Sequence, residues 1–250
     1  MENKIILELQ DGTEMIENNI DFINLVGENN TVRIKTESVE KFKSIKGLLI
    51  AVFGSNNTIN LGRIIYPVNE TIGLTGLIIN IGNPPDDTLD VGTKRDANNC
   101  KITIGDDIIV CGARLFLQDS DTSITIGDKC MISWGIDIWC TDVHTITDLE
   151  GNPQNFAHSI EIGKHVWIGR DVKIGKNTKI SNDSIVGWGS IVTKKFEEPN
   201  VIIAGNPAKI VKRGINWNFR DIGNYQLYRP NKQFQLTKEQ IVKDIEHDLK

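Results

Sequence analysis

Between Ile162 and Thr193, in IGKHVWIGRDVKIGKNTKISNDSIVGWGSIVT, one aliphatic side chain recurs at every sixth position: Ile162, Ile168, Ile174, Ile180, Val186 and Val192. An α-helix repeats every 3.6 residues and a strand every two, so neither carries this pattern. Short strand pieces joined by turns do, each sending one aliphatic side chain into a shared interior. The residue after each aliphatic is small or turn-tolerant (Gly163, Gly169, Gly175, Ser181, Gly187, Thr193). The fourth after it is compact (Val166, Val172, Thr178, Ser184, Ser190), as tight corners require. The pattern predicts an all-β solenoid of hexapeptide repeats.

Upstream the period is looser. GENNTVRI at 27–34 returns as GSNNTINL at 54–61, and a unit of aliphatic-x-aliphatic-Gly starts at Ile59, Ile79, Ile102, Ile124 and Ile160, in steps of 20, 23, 22 and 36 residues. With eighteen residues to a coil, each of the first three steps reads as one coil plus a small insertion and the last as two coils. The insertions fall in turn-rich stretches at 83–87, 94–99 and 120–123. A further one, LEGNPQNFAH at 149–158, interrupts a register kept by Ile126, Ile132 and Ile138 and resumed at Ile162. Loops that leave a rigid scaffold commonly carry function. Residues 1–26 give no firm pattern, the repeat occupies 27–213, and 214–250 forms a C-terminal extension. In that extension Thr237 and Gln240 are spaced as a capping box, and Ile241, Ile245 and Leu249 share one helical face, which predicts a short helix over 238–249.

Composition narrows the function classes. The formal charge of −5 argues against a general nucleic-acid binder. No run of eighteen apolar residues offers a transmembrane segment, and the first apolar run is too short and acid-flanked for a signal peptide, so a cytoplasmic protein is expected. Cys100, Cys111, Cys130 and Cys140 contain no CxxC pair and read as packed, reduced thiols; no metal is expected.

Among the four histidines, His144 has the most chemical promise. It stands just before the interrupting loop, with Asp142 two residues back and Asp148 four on, so that a carboxylate could orient its imidazole. An unbroken hexad register would instead turn His144 inward as a satisfied core histidine. His165 and His247 fit solvent-facing structural roles, and His158 at the loop exit fits either kind.

The hexads resemble the left-handed parallel β-helix acyltransferases, in which three hexads make a triangular coil. Val192-Thr193-Lys194 and the later AGNPAKIVKR at 204–213 are similar to the end of the coenzyme A-dependent sugar acetyltransferases of that family. TDVHTITD at 141–148 resembles a signature of capsule and exopolysaccharide O-acetyltransferases, the polysialic acid enzymes among them. The resemblance implies acetyl transfer from acetyl-coenzyme A to a carbohydrate hydroxyl, with His144 as general base and Asp142 beside it, directly in a ternary complex. It also implies a homotrimer, with coenzyme and acceptor grooves between subunits and the 149–158 loop walling the acceptor side. Trp167 would line the acceptor or pantetheine slot. Gly169 and Trp188 would meet the pantetheine arm, the bulk of Trp188 being a departure from the family's small residue. Thr193, Lys194, Lys209 and Lys212 would meet the adenosine and phosphates. Two other readings stand beside this one. A bare β-helical scaffold would need neither His144 nor the loop. A γ-type carbonic anhydrase would need three zinc-binding histidines, two of them five apart, where His158 and His165 are seven apart.

Overall fold

The computed structural model describes residues 2–18, 20–65, 76–83, 96–219 and 242–243. Apart from Val242 and Lys243, the helix expected over 238–249 lies outside these residues, as do 84–87 and 94–95 of the insertions at 83–87 and 94–99.

Short extended segments form because each alternates an inward aliphatic with an outward polar or half-buried residue. Three predominantly parallel sheets result among the described residues, and helix is confined to one short segment and Val242–Lys243. The chain visits the sheets in rotation. In one circuit Ser123–Ile126 lies in the first sheet, Met131–Ile132 in the second and Ile136–Trp139 in the third. The next circuit stacks on it with Ile160–Ile162, Trp167–Ile168 and Lys173–Ile174. Inward side chains stack in register: Ile126 on Ile162 on Ile180, Ile132 on Ile168 on Val186, and Ile138 on Ile174 on Val192. All nine are buried, and each such side chain contributes about 1.5–3 kcal/mol by leaving water.

Regular corners share a backbone device that the spacing of aliphatics alone does not show. One residue at each turns through positive φ: Asp107, Lys129, His165, Asp183 and Asn200 between the first and second sheets, and Asn29, Asn56, Asn99, Asp121 and Asn177 between the third and first. Asn and Asp tolerate this left-handed conformation better than most residues.

The circuits differ from the expected count. Ile124 stacks directly on Ile160, so the 36-residue step is one circuit with an excursion rather than two coils. Ile59 stacks on Ile102, while Ile79 belongs to the third sheet between Ile50 and Leu115, so the steps of 20 and 23 together make a single circuit. The aliphatic-x-aliphatic-Gly unit misleads here because it recurs on more than one sheet. The stack also begins ahead of residue 27: Lys4–Leu9 pairs in parallel with Thr31–Thr36, Ile5 against Val32.

At each end one sheet gains an antiparallel outer strand: Glu14–Glu17 pairs with Lys4–Leu9 on the first sheet, and Ala208–Arg213 folds back on Val201–Gly205 on the second. The helix Val39–Lys43, capped by the Ser38 side chain, drives Phe42 into the core against Phe22, ring centroids 5.3 Å apart.

Candidate functional site

At one corner between the third and first sheets the regular turn is replaced by an excursion, the chain leaving after Trp139 and rejoining at Ile160. The excursion is thus longer than the expected 149–158 and takes His144 with it. Its base is gripped from both neighbouring circuits. Below, the Thr141 hydroxyl donates to the Asp119 carboxylate. Above, Lys176 Nζ donates to Asp142 Oδ2 at 2.5 Å and to the Asn155 carbonyl at 2.8 Å.

Between these grips the backbone makes a three-residue turn. His144 N–H donates to Asp142 O at 2.7 Å, and the central residue, Val143, sits at φ +67°. A β-branched residue with positive φ is strained, by about 1–3 kcal/mol, and persists only where the surroundings over-determine it. Here they do: Val143 N–H donates to Thr141 Oγ1 at 3.0 Å, Asn155 Nδ2 donates to His144 O at 2.8 Å and to Asp142 Oδ2 at 2.9 Å, and Ile146 N–H donates to Asn155 Oδ1 at 2.7 Å. The result holds His144 on the outside of the corner with its side chain exposed, not inward as an unbroken register would require.

The carboxylates expected to orient His144 are occupied. Hydrogen bonds from Lys176, then Asn155, hold the Asp142 carboxyl below its ordinary value. Asp148 organises the tip of the excursion, accepting from Glu150 N–H at 3.0 Å, Asn152 N–H at 2.9 Å and Gln154 Nε2 at 3.1 Å, and the Asn152 bonds lower its carboxyl. Among the described residues no hydrogen bond joins either carboxylate to the His144 imidazole. Asn155 and Lys176, which sequence reasoning missed, hold the turn instead; neither belongs to the TDVHTITD stretch that drew attention to His144. Thr147 bridges Pro153, and the tip exposes Leu149 and Phe156.

The other predicted residues are dispersed over the chain. Trp167 faces outward on the second sheet, opposite the corner that carries His144. Gly169 and Trp188 do come together: a Cβ at Gly169 would lie 2.6 Å from Trp188 Cδ1, so the indole lies over the glycine, which is buried while Trp188 is 76% exposed. Thr193 and Lys194 follow Ile191–Val192 at the His144 corner, Lys194 Nζ lying 5.3 Å from the Phe196 ring centroid. Lys209 and Lys212, also exposed, are on the strand that caps the second sheet.

His165 is not solvent-facing. It is 1% exposed, its Nδ1 3.0 Å from Asp183 Oδ1, and its ring is stacked on Trp217 with centroids 4.3 Å apart and planes at 9°. Trp217 Nε1 donates to His165 O at 2.8 Å, and its ring lies 5.9 Å from that of Trp167. His158 is exposed at the return of the excursion. Among the described residues no cluster of three or more His, Cys, Asp or Glu could hold a metal ion, and no helix is long and apolar enough to cross a membrane. The thiols are quiet: burial pushes Cys130 and Cys140 up to about 12, and Cys140 Sγ donates to Ser123 O at 3.6 Å.

No family profile matches the chain. Over 193 residues it is 35% identical to the polysialic acid O-acetyltransferase of Neisseria meningitidis, covering 76% of this chain and 86% of that protein. It is 34% identical over 105 residues to the galactoside O-acetyltransferase of Escherichia coli (strain K12), covering 40% of this chain and 51% of that protein, so it spans about half the length of that relative. Among solved structures, that of the polySia specific acetyltransferase NeuO superposes with a TM-score of 0.56 at 24% identity, covering 90% of this chain and 86% of the other, a likeness of fold.

Proposed function

The chain belongs to the hexapeptide-repeat O-acetyltransferases of capsule type, the family of the polysialic acid enzymes, and from that premise we propose that it transfers the acetyl group of acetyl-coenzyme A to a hydroxyl of a capsule or surface polysaccharide. The observation that carries the reading is His144, exposed on a strained and heavily bonded turn at a corner where a long excursion interrupts the stack. A sugar hydroxyl is a poor nucleophile, and a histidine can take its proton as it attacks the thioester carbonyl. We take the attack as direct, without an acetylated enzyme; burial pushes the Cys140 thiol up to about 12, which disfavours it as an acetyl carrier. We take the coil as left-handed, the excursion as an inserted loop that walls the acceptor side, and the setting as cytoplasmic, where the acetyl donor is available.

The site forms between subunits of a homotrimer. His144 lies at the corner opposite the sheet that carries Trp167, so the two meet only if His144 of one subunit faces Trp167 of the next. The outward column of that sheet supports a subunit contact: Ile109, Met131, Trp167, Ile185 and Ile202 are in register and all apolar. The matching column of the first sheet carries Thr103, Thr125, Glu161, Lys179 and Lys195. In that assembly Trp167 lines the acceptor side, Gly169 and Trp188 meet the pantetheine arm, and Thr193, Lys194, Lys209 and Lys212 meet the nucleotide end. The test is thiol release from acetyl-coenzyme A with a panel of acceptors, oligosialic acid and galactosides first. His144→Ala is expected to cut turnover by roughly a hundred- to ten-thousandfold. A variant keeping more than about a tenth of wild-type turnover contradicts the general-base role.

A further inference from the structure

Three features outside the acetyl-transfer residues invite a role: the mixed-charge hollow near Glu8, Lys35 and Arg63, the buried His165 under Trp217, and the bonds that hold the His144 turn. In the hollow the cations are already matched, Lys35 by Asp106 at 2.8 Å and Arg63 by Asp107 at 2.5 Å. His165 is engaged in anchoring the segment that follows the repeat. The third feature is built around a single side chain and leads further.

We propose that Asn155 and Lys176 are positioning residues for His144, a role that rests on His144 being the general base. Asn155 returns to the turn from eleven residues downstream and uses its amide on both sides of the strained residue. Nδ2 donates to Asp142 Oδ2 and to His144 O, at 2.9 and 2.8 Å, and Oδ1 accepts from Ile146 N–H at 2.7 Å. Val143 is thereby held at φ +67° between two fixed ends. A loop whose only task was to project from the stack would relax such a residue to negative φ; strain of this kind is maintained where it sets the direction of the next side chain.

Lys176 ties the assembly to the rigid part of the molecule. It follows Lys173–Ile174, strand and corner of the next circuit, and precedes Asn177, the corner residue at φ +58°. Its Nζ bridges Asp142 Oδ2 at 2.5 Å and the Asn155 carbonyl at 2.8 Å, and its side chain is only 20% exposed. Asp142 is accordingly the fixed end of the clamp. It acts on His144 through the backbone of the turn, not through the imidazole. Displacement of a base by about 1 Å can cost on the order of a hundredfold in rate, so loosening the clamp affects turnover while leaving the binding surfaces in place.

The experiment is a set of double-mutant cycles in the full-length protein, with acetyl-coenzyme A and oligosialic acid, or the panel sugar that supports turnover. Asn155→Ala and the near-isosteric Asn155→Asp, which lacks the donating amide, are each expected to lower kcat by roughly ten- to a hundredfold. KM for both substrates should stay within about threefold, because uniform binding is untouched. Lys176→Met should behave alike and Lys176→Arg should recover most of the loss, since a cation again reaches both acceptors. In a His144→Ala background, Asn155→Ala should cost nothing further, because a positioning residue has no effect once the group it positions is gone. If Asn155→Ala slows the His144→Ala enzyme by the same factor as wild type, or raises KM with kcat unchanged, the assignment is overturned. Failure of Arg to recover Lys176→Met overturns the part given to Lys176. A His144→Ala enzyme with near wild-type turnover instead refutes the general-base reading itself, so the two failures are distinguishable.

Discussion

Replacing Val143 should reverse the usual order of glycine and alanine. In a left-handed conformation a residue with a Cβ costs about 1–2 kcal/mol that glycine does not. Against this, glycine loses about 0.5–1 kcal/mol more backbone entropy than alanine on folding. At φ +67° the first effect wins, and Val143→Gly should be more stable than Val143→Ala by about 0.5–1 kcal/mol. Both variants lose the half-buried isopropyl group, about 1 kcal/mol. Val143→Ala should therefore fall about 1 kcal/mol below wild type and Val143→Gly within about 1 kcal/mol of it. Thermal unfolding can resolve the order, since 1 kcal/mol moves the Tm of a chain this long by about 2–4 °C. Turnover should run the other way: glycine holds the same mean turn but widens the range of directions open to His144, and slows the enzyme roughly tenfold, although it is the more stable of the two. An alanine variant at least as stable as the glycine variant, or a glycine variant with full turnover, would refute the idea that strain at Val143 is held in place to aim His144.

Trp217→Ala removes an indole that is 6% exposed and stacked on His165; a loss of about 3–5 kcal/mol is expected, or the smaller free energy of releasing the segment if that opens first. Trp217→Phe should keep most of the stack, and an alanine variant within about 1 kcal/mol of wild type would show that the segment does not depend on His165. Alkylation of the native protein at pH 8 should leave Cys130 and Cys140 unmodified while the half-buried Cys111 reacts, because burial holds the first two near 12. Cys140→Ala should stay active; an acetyl group trapped on Cys140 would contradict direct transfer.

The six-residue period from Ile162 onward made the stacked core legible because regular circuits place one aliphatic per face at a fixed offset, and those side chains are buried in register. The same stretch held a second signal. The third residue after each of the first five aliphatics, His165, Asp171, Asn177, Asp183 and Gly189, takes positive φ, and all are types that tolerate it. Reading it would have placed His165 at a corner, but not buried it, since the burying Trp217 comes from 52 residues downstream. The start at Lys4 was also traceable: Asn3, Asn30 and Asn57, spaced by 27, form a ladder in which Asn30 N–H donates to Asn3 Oδ1 at 2.9 Å and Asn57 N–H to Asn30 Oδ1 at 3.0 Å. His144 was found from its setting and signature. Its clamp was not, because Lys176 lies one circuit away in space and 32 residues away in sequence, and no local pattern joins them.

The claim on which the account turns is that His144 and Trp167, on opposite sides of one subunit, work together across a subunit boundary. Co-expression of His144→Ala chains with Trp167→Ala chains tests it, after each variant alone has been confirmed to be impaired. In randomly mixed trimers with equal amounts of each chain, about a quarter of the interfaces pair an intact His144 with an intact Trp167. Thiol release from acetyl-coenzyme A should then recover to about a quarter of the wild-type rate. Activity no higher than the mean of the two variants measured separately would contradict the shared site.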